Sequence, residues 1–178
     1  ILRSHSSIDV VEEQPLVSAA KSFVEKSGYA EIGQTLPQEV IAGARNAYFA
    51  ELDKHVAITD SKSILIDKLP LNLLRIPFIK QLYPQAKFIL ALRHPLDTIL
   101  SCWMQNFKLN SAMANMVDLD RISEFYCVAM ETFKISRAKY NLSVHQIRYE
   151  DLLEDLIGET SALLNFLDLE WEDQMKNF

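Results

Sequence analysis

"KFILALRHPLDTILSCWM", residues 87–104, decides how this chain folds. It opens with a run, apolar on both faces, of residues that suit a pleated surface, and this reads as a buried parallel strand ending at Arg93. Pro95 follows, a residue favoured in the first turn of a helix, and the apolar side chains after it recur at helical spacing. A strand that hands over to a helix in this way sets Arg93 at the carboxyl edge of a parallel sheet, where open α/β sheets bind their ligands. Asp97 falls in the first turn, where a carboxylate complements the positive end of the helix dipole, and is expected to be structural. Ser101 lies further along the same helix. Local chemistry leaves two readings open. Guanidinium and hydroxyl converge on one anion, through charge-assisted bonds of about 1.5–3 kcal/mol each; or the arginine is salt-bridged at a strand end and the serine faces its own helix.

Working outward, "LVSAAKSFVEKS" (16–27) repeats apolar residues at helical spacing and is followed by Gly28 as a stop. "TLPQEVIAGARNAYFAELDKH" (35–55) is a second helix, with Thr35 as cap, Gln38 reaching back, and an apolar stripe through Val40, Ala44, Ala47 and Phe49. "SILID" (63–67) reads as another buried parallel strand. "LNLLRIPFIKQLYP" (71–84) is helical, with Pro77 expected to kink or divide it. "DLDRISEFYCVAMETFKISRAK" (118–139) is a long amphipathic helix, and "SVHQIRYEDL" (143–152) supplies a third strand before a helical C-terminal part. Strands separated by helices call for crossover connections and an α/β layered fold.

The totals narrow the function classes. At 178 residues with 49% hydrophobic and 24% charged residues, the chain is long enough for one well-cored globular domain. A net charge of -6 opposes nonspecific binding to nucleic acid or anionic lipid, so an anionic ligand must be held by local groups. Cys102 and Cys127 match no zinc pattern and are expected to be buried small apolar groups. His5, His55, His94 and His145 are scattered without metal spacing. The four glycines, Gly28, Gly33, Gly43 and Gly158, form no glycine-rich phosphate loop. A nucleotide kinase predicts such a loop with a lysine, and is disfavoured by the arginine-serine spacing together with "RYEDL". No run is long enough to span a bilayer and no leader opens the sequence, so the expected compartment is cytoplasmic. A first residue that is Ile1 and not Met implies a longer natural protein.

"KFILALRHPLDTILSCWMQNF", preceded by "LIDKLPLNL" and followed by "IRYEDLL", resembles the sulfotransferases that use 3'-phosphoadenosine 5'-phosphosulfate (PAPS), especially bacterial members linked to tetratricopeptide repeats. These are in turn similar to tyrosylprotein sulfotransferases. The motifs fall in residues 1–14, 64–107 and 144–171, while 19–60 carries little family signal. The resemblance implies an α/β, P-loop-NTPase-like three-layer fold with a parallel sheet flanked by helices. It also implies a single sulfotransferase-like domain over 1–178, truncated at both ends. PAPS would be co-substrate and 3',5'-adenosine bisphosphate the product, with no metal. The acceptor would be a small molecule, carbohydrate or peptide, and tetratricopeptide repeats would precede the domain in the full-length protein.

Carried residue by residue, the resemblance makes Arg93 and Ser101 the pair that holds the 3'-phosphate. It puts Tyr149 beside the adenine; the other reading of Tyr149 is a strand-end tyrosine packed in the core. Lys68 aligns with positions that face the scissile sulfate. Small-molecule sulfotransferases carry a histidine base in a K-T-H-L-P stretch where this chain has "IDKLP", so the base must come from elsewhere. "SHSSIDVVEEQPL" (4–16) is similar to the tyrosylprotein sulfotransferase segment in which the second of two glutamates is the base, here Glu13. Without the resemblance, Glu12 and Glu13 read as a solvated pair near a helix start. A carboxylate base needs partial desolvation to raise its proton affinity. The family's P-R-S-G-T-T loop should lie just before Ile1 and its glycine-and-tryptophan segment beyond Phe178. The chain as it stands is therefore expected to bind donor weakly and turn over slowly or not at all. Residues 106–118 are expected to form a lid or acceptor-side loop. The alternative function is a noncatalytic nucleotide-binding or scaffold domain that keeps the fold.

Overall fold

Among the described residues, two pairs of parallel strands organise the chain, with helices between the strands of each pair. The computed structural model describes residues 1–29, 34–55, 64–105 and 113–177, which fall into two compact units. The first comprises Ile1–Ala86 with Glu172–Phe178, the second Lys87–Trp171.

In the first unit, β1 (Ile8–Glu12) pairs in parallel with β2 (Ile64–Lys68), in register from Ile8 opposite Ile64 to Glu12 opposite Lys68. Parallel strands cannot be joined by a tight turn, and here α1 (Leu16–Lys26) and α2 (Gln38–Leu52) lie between them in the chain. Leu16, Val17, Ala20 and Val24 of α1 are buried together with Val40, Ile41, Ala44, Tyr48 and Leu52 of α2, and Val11 of β1 joins them. The helices approach closely at Gly43, where a Cβ would stand 2.2 Å from the Phe23 ring. Gly28, at φ 87°, ends α1 in a left-handed conformation that glycine adopts without a steric penalty.

Beyond β2, Pro77 divides its segment as expected: a 3-10 helix, Pro70–Arg75, precedes α3 (Ile76–Leu82), with the proline in the first turn. The two ends of the first unit are tied together. Ser6 donates its backbone N–H to Glu172 at 2.8 Å and its hydroxyl to the other carboxylate oxygen.

The second unit carries β3 (Phe88–Leu92), α4 (Pro95–Met104), α5 (Leu119–Tyr140), β4 (Val144–Arg148), α6 (Tyr149–Glu154) and α7 (Leu156–Phe166). β3 and β4 are parallel, from Phe88 opposite Val144 to Leu92 opposite Arg148. Leu90, Ile122, Phe133, Leu142, Leu163 and Leu164 are its main buried side chains. Asp118 caps α5 by accepting the Arg121 N–H at 2.8 Å, and Asp155 caps α7 through the Gly158 N–H at 2.8 Å.

Several expectations are corrected. Ile8–Glu12 is a strand, unrecognised in the sequence reading. Helix α2 starts at Gln38 behind Pro37 and not from a Thr35 cap; its buried stripe includes Tyr48, while Phe49 is exposed. The strand expected over 143–152 ends at Arg148, and Tyr149 begins a helix. Cys127 is exposed and Cys102 only half-buried, because α5 and α4 turn those faces outward. Of the expected loop 106–118, residues 106–112 lie outside the described residues, and Met113–Asn115 is a 3-10 turn.

Candidate active site

At the carboxyl end of the β1–β2 pair the ladder continues one residue past Glu12. Glu13 donates its N–H to the Lys68 carbonyl at 2.8 Å while adopting φ 57°, a left-handed conformation that costs a non-glycine residue on the order of 1–2 kcal/mol. That turn swings the Glu13 side chain back over the strand end, where its Oε1 lies 2.8 Å from Lys68 Nζ. Glu12, its neighbour, is engaged elsewhere, 3.3 Å from Arg3. Of the two adjacent glutamates, the one that meets the lysine is therefore Glu13. The pair is open to water: the Glu13 side chain is 63% exposed and that of Lys68 46%. The desolvation expected of a carboxylate base is absent here.

Strand alternation sends the residue before Lys68 the other way. Asp67 accepts a hydrogen bond from the Tyr48 hydroxyl at 3.1 Å. Burial pushes the Asp67 carboxyl above the usual range, opposed by its bonds to Tyr48 and Asn72. Burial pushes the Tyr48 phenol up as well, helped by the Asp67 charge. This acid escaped the sequence reading, since its partner lies in a helix 19 positions away.

In the second unit, β3 stops at Leu92, and Arg93 emerges at its carboxyl end as expected. The guanidinium carbon sits 5.4 Å from the centre of the Tyr149 ring, a cation–π arrangement, and Nη2 is 3.6 Å from Asp97 Oδ2. Asp97 and Ser101 are four residues apart in α4 and so share one helix face. Arg93 therefore reaches the face that carries the serine, one turn below it. The ion pair expected by the structural reading is present, but with the two side chains 46% and 56% exposed it is worth no more than about 1 kcal/mol. A doubly charged phosphate would compete with it readily. Tyr149 is 47% exposed, so it is not the core-packed tyrosine that was the other reading of this position.

A further residue supports this edge. Glu150 accepts the backbone N–H of His94 at 2.7 Å, and this bond, with one from its own backbone amide, holds its carboxyl below the usual range. It stood inside "RYEDL", a motif read only for its tyrosine. Among the described residues, no group of three or more His, Cys, Asp or Glu is arranged to hold a metal ion, and no helix is long and apolar enough to cross a membrane.

Comparison with known proteins converges on one family. The model of the family described as "Sulfotransferase family" matches residues 1–173. A Caenorhabditis elegans protein provisionally named a protein-tyrosine sulfotransferase is 31% identical over 143 residues, covering 79% of this chain and 52% of that protein. An uncharacterized Aquifex aeolicus protein is 24% identical over 188 residues, spanning all of this chain and 24% of its own length. The chain thus spans about half or less of the curated relatives it matches. Among solved structures, the sulfotransferase domain from the curacin biosynthetic pathway superposes with a TM-score of 0.56 at 16% identity, covering 98% of this chain and 69% of that one. A sulfotransferase from Alicyclobacillus acidocaldarius gives 0.54 at 16% identity, with 99% and 81% covered. These likenesses establish the α/β, P-loop-like fold.

Proposed function

Because this chain belongs to the sulfotransferase family, we propose that it moves a sulfuryl group from PAPS to a hydroxyl or amine acceptor by in-line displacement. The observation that carries this reading is Arg93, which stands at the end of a parallel strand against the Tyr149 ring and pairs with Asp97, on the helix face that bears Ser101. The guanidinium fork matches phosphate geometry. Arg93 and Ser101 grip the 3'-phosphate, the group that separates PAPS from ordinary adenine nucleotides, and Tyr149 offers its exposed ring to the adenine.

The transfer chemistry falls to Lys68 and Glu13. The acceptor oxygen bonds to sulfur as the bond from sulfur to the bridging oxygen of the 5'-phosphate breaks. The electron pair leaves with that oxygen, giving 3',5'-adenosine bisphosphate, and the acceptor proton passes to the Glu13 carboxylate. The Lys68 ammonium stabilises the charge on the departing phosphate. Their mutual ion pair is exposed, hence weak, and leaves both groups available. The name of the C. elegans relative makes a tyrosyl peptide the first acceptor to try.

One observation favours a second reading, a noncatalytic nucleotide-binding domain that retains the fold: the Glu13 carboxylate stands largely in water. A transfer assay with radiolabelled PAPS and a panel of phenolic, carbohydrate and amine acceptors separates the two. Catalysis predicts labelled product that disappears in Glu13→Gln while bisphosphate binding persists. Binding without labelled product across the panel supports the second reading.

A further inference from the structure

We propose that Glu150 is a positioning residue for the phosphate grip, holding the peptide that follows Arg93 and thereby setting where the guanidinium stands. This inference rests on the reading of Arg93 given above.

The hydrogen bond from His94 N to Glu150 Oε1, at 2.7 Å, lies at the short end of the range for a carboxylate accepting from an amide. That nitrogen belongs to the peptide plane that also contains the Arg93 carbonyl. A peptide unit is rigid, so a bond that fixes its N–H fixes the backbone on the carboxyl side of Arg93.

The site needs such a brace for a topological reason. The last registered pair of the ladder is Leu92 opposite Arg148. Were β4 to continue, its backbone would supply the next acceptor. Instead the chain turns into α6 at Tyr149 and commits its carbonyls to the helix. The Glu150 side chain takes the place of the missing ladder carbonyl.

Consecutive residues thus hold consecutive residues. Tyr149 lies against the Arg93 guanidinium at 5.4 Å, and Glu150 holds the peptide between Arg93 and His94. The second carboxylate oxygen, Oε2, is buried without a hydrogen-bond partner among the described residues. The ion partner found for Arg93 is Asp97, not Glu150. A negative charge near a phosphate site opposes anion binding through space. The acid is therefore explained by the bond it accepts, and its charge alone would be a disadvantage.

The test is calorimetric titration of the full chain with adenosine 3',5'-bisphosphate and, separately, adenosine 5'-monophosphate. Glu150→Ala is expected to weaken the bisphosphate by on the order of tenfold, by analogy with the loss of an outer partner that orients a metal ligand. The monophosphate should change little, so the preference between the nucleotides collapses. Glu150→Gln keeps an oxygen for the His94 N–H and should retain the wild-type preference, which also keeps the proposal testable if the alanine variant unfolds. Arg93→Ala with Glu150→Ala should bind no more weakly than Arg93→Ala alone. Equal weakening of both nucleotides, an unchanged preference in Glu150→Ala, or failure of Glu150→Gln to retain it would overturn the proposal. If the wild-type chain has no Arg93-dependent preference for the bisphosphate, the donor reading itself falls and takes the role of Glu150 with it.

Discussion

Glu13 and Lys68, 55 positions apart in sequence, are joined twice: the Glu13 N–H donates to the Lys68 carbonyl at 2.8 Å, and the Lys68 ammonium lies 2.8 Å from the Glu13 carboxylate. Parallel register brings the two residues to the same strand end. With Glu12 opposite Lys68, the next residue of β1 either leaves the sheet or folds back over the strand end, and a positive φ at Glu13 selects the second course.

Lys68→Met tests what the pair does. Exposed ion pairs contribute little, so unfolding free energy should move by less than about 1 kcal/mol. If the ammonium stabilises charge that develops on the leaving phosphate, kcat should fall by about 10²–10³-fold with bisphosphate affinity nearly unchanged. Parallel loss of binding and turnover would instead assign Lys68 to holding the ground state.

Arg93→Lys is a sharper probe of the second unit than its conservative appearance implies. Lysine preserves the charge but loses the planar fork and the delocalised cation that faces the Tyr149 ring. Bisphosphate affinity should fall by about tenfold, whereas Tyr149→Phe, which keeps a ring beneath the cation, should cost no more than about threefold. Binding as tight in Arg93→Lys as in wild type would reduce the interaction to a point charge.

The half-buried Asp67 gives a pH signature. Burial raises its folded-state proton affinity above the ordinary value of 3.8, so its contribution to stability is complete below that pH and is lost as pH rises through the raised folded-state value. Asp67→Asn keeps an oxygen for the Tyr48 hydroxyl and does not ionise. Urea unfolding across the acid range should find the variant gaining on wild type from about pH 3.8 upward, then levelling off. A difference independent of pH would show that the carboxyl titrates alike in the folded and unfolded chain.

Periodicity carried much of the fold. The run ending at Arg93, the helix opened by Pro95, the long helix of residues 118–139 and the dividing role of Pro77 were all legible, because each is written in local pattern and backbone chemistry. β1 was not, since Asp9 interrupts its apolar residues and its strand character comes from pairing with β2, more than fifty residues on. The α2 stripe was misread because Tyr48 and Phe49 are equally aromatic. The tyrosine falls four residues after Ala44 on the buried face, and the Asp67 acceptor satisfies its hydroxyl there.

Of the site, the residue types and their order were available from resemblance, but their meetings were not. No pattern reveals that Glu13 rather than Glu12 faces Lys68, which depends on one backbone dihedral. Glu150 escaped for a related reason. Its importance lies in a bond to the main chain of His94, and a backbone amide leaves no mark on sequence.

The central claim is that Arg93 confers recognition of a 3'-phosphate, and the most direct measurement is the ratio of dissociation constants for adenosine 5'-monophosphate and adenosine 3',5'-bisphosphate, in wild type and in Arg93→Ala. A charge-assisted contact of about 1.5–3 kcal/mol corresponds to a preference of roughly tenfold to a hundredfold for the bisphosphate in wild type. That preference should vanish in Arg93→Ala. Equal affinity of wild type for the two nucleotides, or an undiminished preference without the guanidinium, would contradict the account.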